Sequence, residues 1–159
     1  MAKIKLDRID AQLLSIIQSD GKITNIELAD KVGLSPSPCL RRTRALEASG
    51  VIKRYVGILD PKLIGLTING FVTVRLKNQG RKALEEFESR IQTYKEVMEC
   101  YLMTGTSDYL LRISVQDLAK YEQFLIDKVT TIPGVGNIES SFSLKQVVYR
   151  TEMPIIPHQ

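Results

Sequence analysis

Apolar residues recur at helical spacing through the first third of the chain. Ile9, Leu13, Leu14, Ile16 and Ile17 form one stripe between Leu6 and Asp20, which predicts a helix capped by Asp7 and stopped at Asp20-Gly21. Thr24-Asn25-Ile26-Glu27 reads as a capping box opening a short second helix, with Ile26, Leu28, Ala29 and Val32 on its apolar side. Gly33 ends it, since glycine accepts the left-handed conformation of a tight turn. Ser35-Pro36 then starts a third helix, with serine as the cap and proline where no bonded amide is lost. This helix runs to about Ser49, with Gly50 as its stop. Cys39, Leu40, Thr43 and Leu46 share one face, Ser37, Arg41, Arg44 and Ala45 the opposite one, and Pro38 and Arg42 flank them.

Beyond the third helix the period changes. Val51–Leu59 is strand-like and Asp60-Pro61 breaks it, placing a domain boundary between about Gly57 and Ile68. Strands are predicted at Ile68–Lys77, Val97–Thr104, Tyr109–Val115 and Ile138–Tyr149. Helices are predicted at Arg81–Gln92, with Leu84, Phe87 and Ile91 inward, and at Asp117–Thr130, with Leu118, Tyr121, Leu125 and Val129 inward. The order βαββαβ is the ferredoxin-like plan. The fold class is therefore α+β: a helix-turn-helix domain with a linker strand over 1–60, and a ferredoxin-like domain over 61–159. Such a sheet has one face free of helices. Phe71, Val72, Val74, Val147 and Val148 supply apolar strand surface for it, which points to a dimer.

Composition narrows the function. Of 159 residues, 43% are hydrophobic and 25% charged, as in an ordinary globular chain. No apolar run reaches the roughly 18 residues of a membrane helix, and Met1–Asp7 has no apolar signal region, so a cytoplasmic protein without a membrane partner is expected. Two cysteines, Cys39 and Cys100, in no metal-ligand spacing, read as reduced thiols. His158 is the only histidine, one residue from the end. Catalytic and metal sites are therefore not expected, and the chain reads as no enzyme. Neither phosphate-binding glycine motif is present, and no cofactor is expected.

Charge is concentrated. Between Lys31 and Arg54 six basic residues face the single acid Glu47, in a chain whose total is only +4. With a short second helix, a glycine turn and a basic third helix, Leu6–Gly50 suits double-stranded DNA, the third helix entering the major groove. Ser37 and Pro38 lie on its first turn, and Arg41, Arg42 and Arg44 can reach guanine edges or phosphates. The helix N-terminus at Ser35 favours a phosphate. The alternative is a small helical bundle using the same shape for packing. Thr104-Gly105-Thr106-Ser107-Asp108-Tyr109, between two predicted strands, has amides for a carboxylate and an acid for an ammonium group; the alternative is an ordinary hairpin turn. Pro133-Gly134-Val135-Gly136 reads only as a tight connection.

The chain resembles the leucine-responsive and asparagine-operon regulators, the Lrp/AsnC family. The matching stretches are Leu6-Asp7-Arg8-Ile9-Asp10, Asp20-Gly21-Lys22-Ile23, the run Val32–Leu40, Arg42, Leu46-Glu47 and Gly50-Val51-Ile52, then Gly105, Asp108-Tyr109-Leu110-Leu111 and Pro133-Gly134-Val135. The resemblance implies a winged-helix-like reader, a linker strand and a ferredoxin-like domain that binds amino acids. It also implies dimers assembling into tetramers or octamers, with the effector between dimers. The family's loop aspartate maps onto Asp108 and its small hydroxyl residue onto Ser140. A small amino acid is then expected at Thr104–Asp108, near Ser140 of an adjoining subunit. Its carboxylate would meet the amides of Thr104, Gly105 and Thr106, its ammonium Asp108 or a loop that Asp108 orders. Its side chain would rest on Leu102, which favours leucine- or methionine-like effectors. Two other functions fit the same plan. Siroheme decarboxylases resemble it but depend on active-site histidines, and an architectural DNA-compacting protein would need no effector.

Overall fold

The computed structural model describes residues 4–156; His158 lies outside the described residues. The chain divides into two compact units, Met1–Ile58 with Val147–Gln159, and Leu59–Gln146. The sequence placed all of 61–159 in one domain, whereas Val147–Gln159 groups with the N-terminal unit. Two contacts explain this. The Gln18 side chain donates to the Met153 carbonyl (3.1 Å) and accepts from the Met153 amide (2.7 Å), and Ile155 packs on the helical core.

In the N-terminal unit, α1 spans Arg8–Ser19, α2 Asn25–Val32 and α3 Pro36–Ala48. Asp7 caps α1 and Asp10 reaches back to the Asp7 amide; Thr24 and Glu27 do the same for α2. Each reciprocal cap satisfies amides that a helix start leaves unpaired. Gly33 and Gly50 end α2 and α3 at φ of 68° and 77°, left-handed values that glycine adopts without strain. Ser35 sits at the N-cap of α3, but its hydroxyl takes no amide, contrary to the expected serine cap. Instead Asn25 Nδ2 donates to the Pro36 carbonyl at 2.9 Å and ties the start of α3 to α2.

Leu13, Leu28, Ala29, Cys39 and Leu46 form the centre of this unit. Two predicted inward residues are exposed, Ile26 at 71% and Leu40 at 38%. Cys39 and Leu46 set the phase of α3, which turns the adjacent Leu40 outward. Residues 51–60 form no strand, contrary to the linker strand expected there. A strand needs a ladder partner for its amides and carbonyls, and no strand exists among the described residues of this unit. Tyr55 anchors the segment: its hydroxyl donates to Glu47 at 2.9 Å. Burial, reinforced by that carboxylate, pushes the phenol up to about 12.

The second unit contains β1 (Ile68–Leu76), α4 (Arg81–Ile91), β2 (Val97–Leu102), β3 (Tyr109–Val115), α5 (Leu118–Phe124) continuing into a π-turn (Leu125–Val129), and β4 (Val135–Phe142). The sheet runs β2-β3-β1-β4, antiparallel throughout, the ferredoxin-like order. Val72 and Val74 of β1 and Leu111 and Ile113 of β3 are buried in one core with Phe87 and Ile91 of α4 and Tyr121, Phe124 and Val129. Leu118 is exposed and Phe124 takes an inward place.

The open face of the sheet is less apolar than expected. Val72 and Val74 point into the helix-covered core. Val147 and Val148 lie beyond β4, which ends at Phe142. Of the five residues assigned to this face only Phe71 belongs there. Leu110 and Tyr101 join it by their cross-strand pairing, beside an Arg112–Glu99 ion pair. No described helix is long and apolar enough to cross a membrane.

Candidate nucleic-acid interface and effector loop

The candidate DNA-reading face is one side of α3. Ser35, Ser37, Arg41 and Arg44 are exposed, and Pro38 is half-buried beside them. Ser37, Arg41 and Arg44, at helical spacing, form one outward stripe opposite Cys39 and Leu46. No ion pair engages Arg41 or Arg44 among the described residues, so both guanidinium groups are available to phosphates or base edges.

Arg42 stands apart from this stripe. Its Nη1 donates to Asp7 Oδ2 at 2.7 Å and to Asp10 Oδ1 at 2.8 Å. Those carboxylates are the two members of the α1 capping box, so one guanidinium binds α3 to the start of α1. The Asp10 amide that Asp7 accepts, with Arg42 beside it, holds the Asp7 carboxyl below its ordinary value. Arg42 is also expected among the DNA contacts, and in the structure its Nη1 is engaged by α1. The sequence marks Asp7 as a helix cap and Asp10 only as part of a family-like stretch, and helical spacing within each helix carries no sign of their pairing with Arg42.

The candidate effector loop joins β2 to β3 at one end of the sheet. Gly105 has φ of 123°, a conformation open to glycine and strained for other residues. Thr104, Gly105 and Thr106 are exposed. Among the described residues their amides donate to no other group. Asp108 organises the base of the loop. Its Oδ2 accepts from the Leu76 amide at 2.7 Å, its Oδ1 from Gln79 Nε2 at 2.8 Å, and its own amide donates to the Val74 carbonyl at 2.9 Å. The carboxylate thus ties the loop to the end of β1. Gln79 was missed by the sequence reading, since an amide side chain in a turn carries no signal of its partner. Leu102 is 61% exposed at the edge of the loop.

Ser140 is not brought to this loop within the chain. It pairs with Val72 on β4, and β3 and β1 lie between β4 and β2. A site using both Ser140 and the loop therefore needs a second copy.

A helix-turn-helix with a free basic stripe, on one chain with a ferredoxin-like unit bearing a loop of open amides, defines a ligand-binding DNA regulator. Comparison with known proteins gives the family. Residues 6–53 match the model of a winged helix-turn-helix DNA-binding domain, and residues 69–153 that of the Lrp/AsnC ligand binding domain. The chain belongs to the Lrp/AsnC family of transcription regulators. It is 44% identical over 151 residues to the Bkd operon transcriptional regulator of Pseudomonas aeruginosa, covering 95% of this chain and 99% of that one. It is 37% identical over 142 residues to the leucine-responsive regulatory protein of Escherichia coli, covering 89% and 87%. Among solved structures, a Neisseria meningitidis transcriptional regulator in complex with L-Met superposes with a TM-score of 0.90 at 35% identity, covering 94% and 97%.

Proposed function

We propose that this regulator senses a small apolar amino acid, leucine- or methionine-like, at the Thr104–Asp108 loop. The observation that carries the proposal is the set of three open amides at Thr104, Gly105 and Thr106, on a loop that Asp108 ties to β1. Amides held in place this way can take a carboxylate without reorganising. Both Asp108 oxygens already accept hydrogen bonds, so Asp108 acts by ordering the loop. Leu102 offers apolar surface to the side chain, and Ser140 completes the site from another copy. The L-Met complex of the Neisseria meningitidis relative supports this ligand class.

DNA is read by α3 through Ser37, Arg41 and Arg44, with Ser35 and Pro38 at its first turn. The protein acts by binding, as a homo-oligomer built from dimers, with an octamer as the full assembly. The effector prefers one assembly over another and so changes the spacing of the reading heads, which couples ligand to DNA.

Calorimetry of the twenty amino acids against the full chain tests the sensor. Leucine or methionine should bind the wild type, and Asp108→Ala should lose that binding while the ligand-free protein keeps its DNA affinity. Failure of every amino acid to bind the wild type would leave an effector-independent DNA-binding protein.

A further inference from the structure

The ferredoxin-like unit holds a second feature, distant from the loop. An open cleft of about 470 Å³ lies at the other end of the same strand pair, where β2 begins and β3 ends. Its volume is within the range of small-molecule sites. Leu66, Met98, Val115 and Phe124 give it an apolar floor, and Lys95, Lys120 and Lys128 stand around it.

Lys128 is fixed in place. It lies on the π-turn, where the Thr130 amide bonds the Leu125 carbonyl across five residues at 2.9 Å. Such turns are rare and concentrate at functional sites. The Lys128 ammonium donates to Glu96 Oε1 at 2.6 Å and lies 5.4 Å from the centre of the Tyr94 ring and 5.7 Å from that of Phe124. Burial pushes the Glu96 carboxyl up, the Lys128 contact pulls it down, and the net is below its ordinary value. Lys128 thus engages Glu96 Oε1, while Glu96 Oε2 is buried with no hydrogen-bond partner among the described residues. Neither Lys95 nor Lys120 has a carboxylate partner among the described residues; Lys120 meets only the Gln123 amide oxygen, at 3.1 Å. Three lysines face two acids, Glu96 and the solvated Asp127, so the rim carries surplus positive charge over an apolar floor.

We propose that this cleft binds a small organic carboxylate with an apolar body, its charge between Lys95 and Lys120 and its hydrocarbon on Met98, Val115 and Phe124. It prefers the deaminated acid to the matching amino acid. An ammonium group there would meet three lysines against two acids, one of which already bonds Lys128 through Oε1, so the surplus positive charge disfavours it. The ligand class thus differs from the zwitterion assigned to the loop.

The test is calorimetry of 4-methylpentanoate and leucine on the full chain. 4-Methylpentanoate should bind the wild type and Asp108→Ala equally. Lys95→Gln and Lys120→Gln, both at exposed positions, should each weaken it about tenfold. Leucine binding should be indifferent to both lysine variants. The proposal is overturned if 4-methylpentanoate does not bind the wild type at roughly 10 mM. It is equally overturned if that binding disappears in Asp108→Ala and persists in both lysine variants. Leucine binding that falls with the lysines as much as the acid does would overturn the stated preference.

Discussion

Three arginines within one helical turn differ in their contacts. Arg41 and Arg44 project from α3 without ion pairs, and Arg42 holds α3 to the capping box of α1. Arg41→Ala and Arg44→Ala should weaken operator binding and leave thermal stability near wild type. A lost phosphate contact lowers the slope of log affinity against log salt by about 0.9, which binding isotherms at several salt concentrations read directly. Arg42→Ala should do the reverse first. It leaves two adjacent carboxylates unpaired, with Asp10 only 16% exposed, and should cost about 1 kcal/mol of stability after allowing for solvent screening. The Asp7 carboxyl is held below its ordinary value of 3.8, so the clamp's contribution is full above that pH and is lost as pH falls through the lowered value. The stability gap between wild type and Arg42→Ala should therefore be constant near neutrality and close in acid. A gap that widens below pH 3.8 would contradict the clamp. Helical periodicity placed Arg42 at the flank of the reading face, but no pattern within one helix reveals a partner on another.

At the scale of elements, most of the fold was legible because its signals are local. Capping residues at Asp7 and Thr24, left-handed glycines at Gly33 and Gly50, and alternation along Tyr109–Val115 each act within a few residues. What escaped depends on partners. Residues 51–60 and 143–149 have strand-like composition but form no strand, because a strand needs a continued ladder of partners. The π-turn at Leu125–Val129 has the same apolar spacing as the α-helix expected there, so spacing does not tell the two apart. Two glycines give separable tests. A Cβ at Gly70 would lie 2.7 Å from Tyr121 Cε2, a ring buried in the core, so Gly70→Ala should destabilise by about 1–3 kcal/mol in denaturant unfolding. At Gly105 a Cβ meets nothing within 4 Å, and the cost is conformational, from φ of 123°. Gly105→Ala should cost about 1–3 kcal/mol of backbone strain, relieved by rearranging the loop. Amino-acid binding should suffer more than unfolding stability. Unchanged binding in that variant would show that the loop amides do not hold the carboxylate.

For the whole molecule, the proposed dimer turns on the open face of the sheet. Phe71, Leu110 and Tyr101 lie there together, flanked by the Arg112–Glu99 pair at 2.6 Å. A second copy applied to this face would bury the three apolar side chains and place two reading helices on one duplex. Affinity for a two-part operator then gains from effective concentration, because the second half-site is engaged within the same complex. Phe71→Arg combined with Leu110→Glu would put charges where the partner's apolar surface should sit. Unpaired charge at a buried interface is costly. The double variant should be monomeric by light scattering at micromolar concentration, with the circular dichroism of the folded protein. Its binding to a single half-site should match the wild type, while binding to the paired site should fall about 100-fold or more with the loss of avidity. If the variant stays dimeric, another surface holds the copies together. If it is monomeric yet binds the paired site at full strength, the two reading helices do not act as a unit.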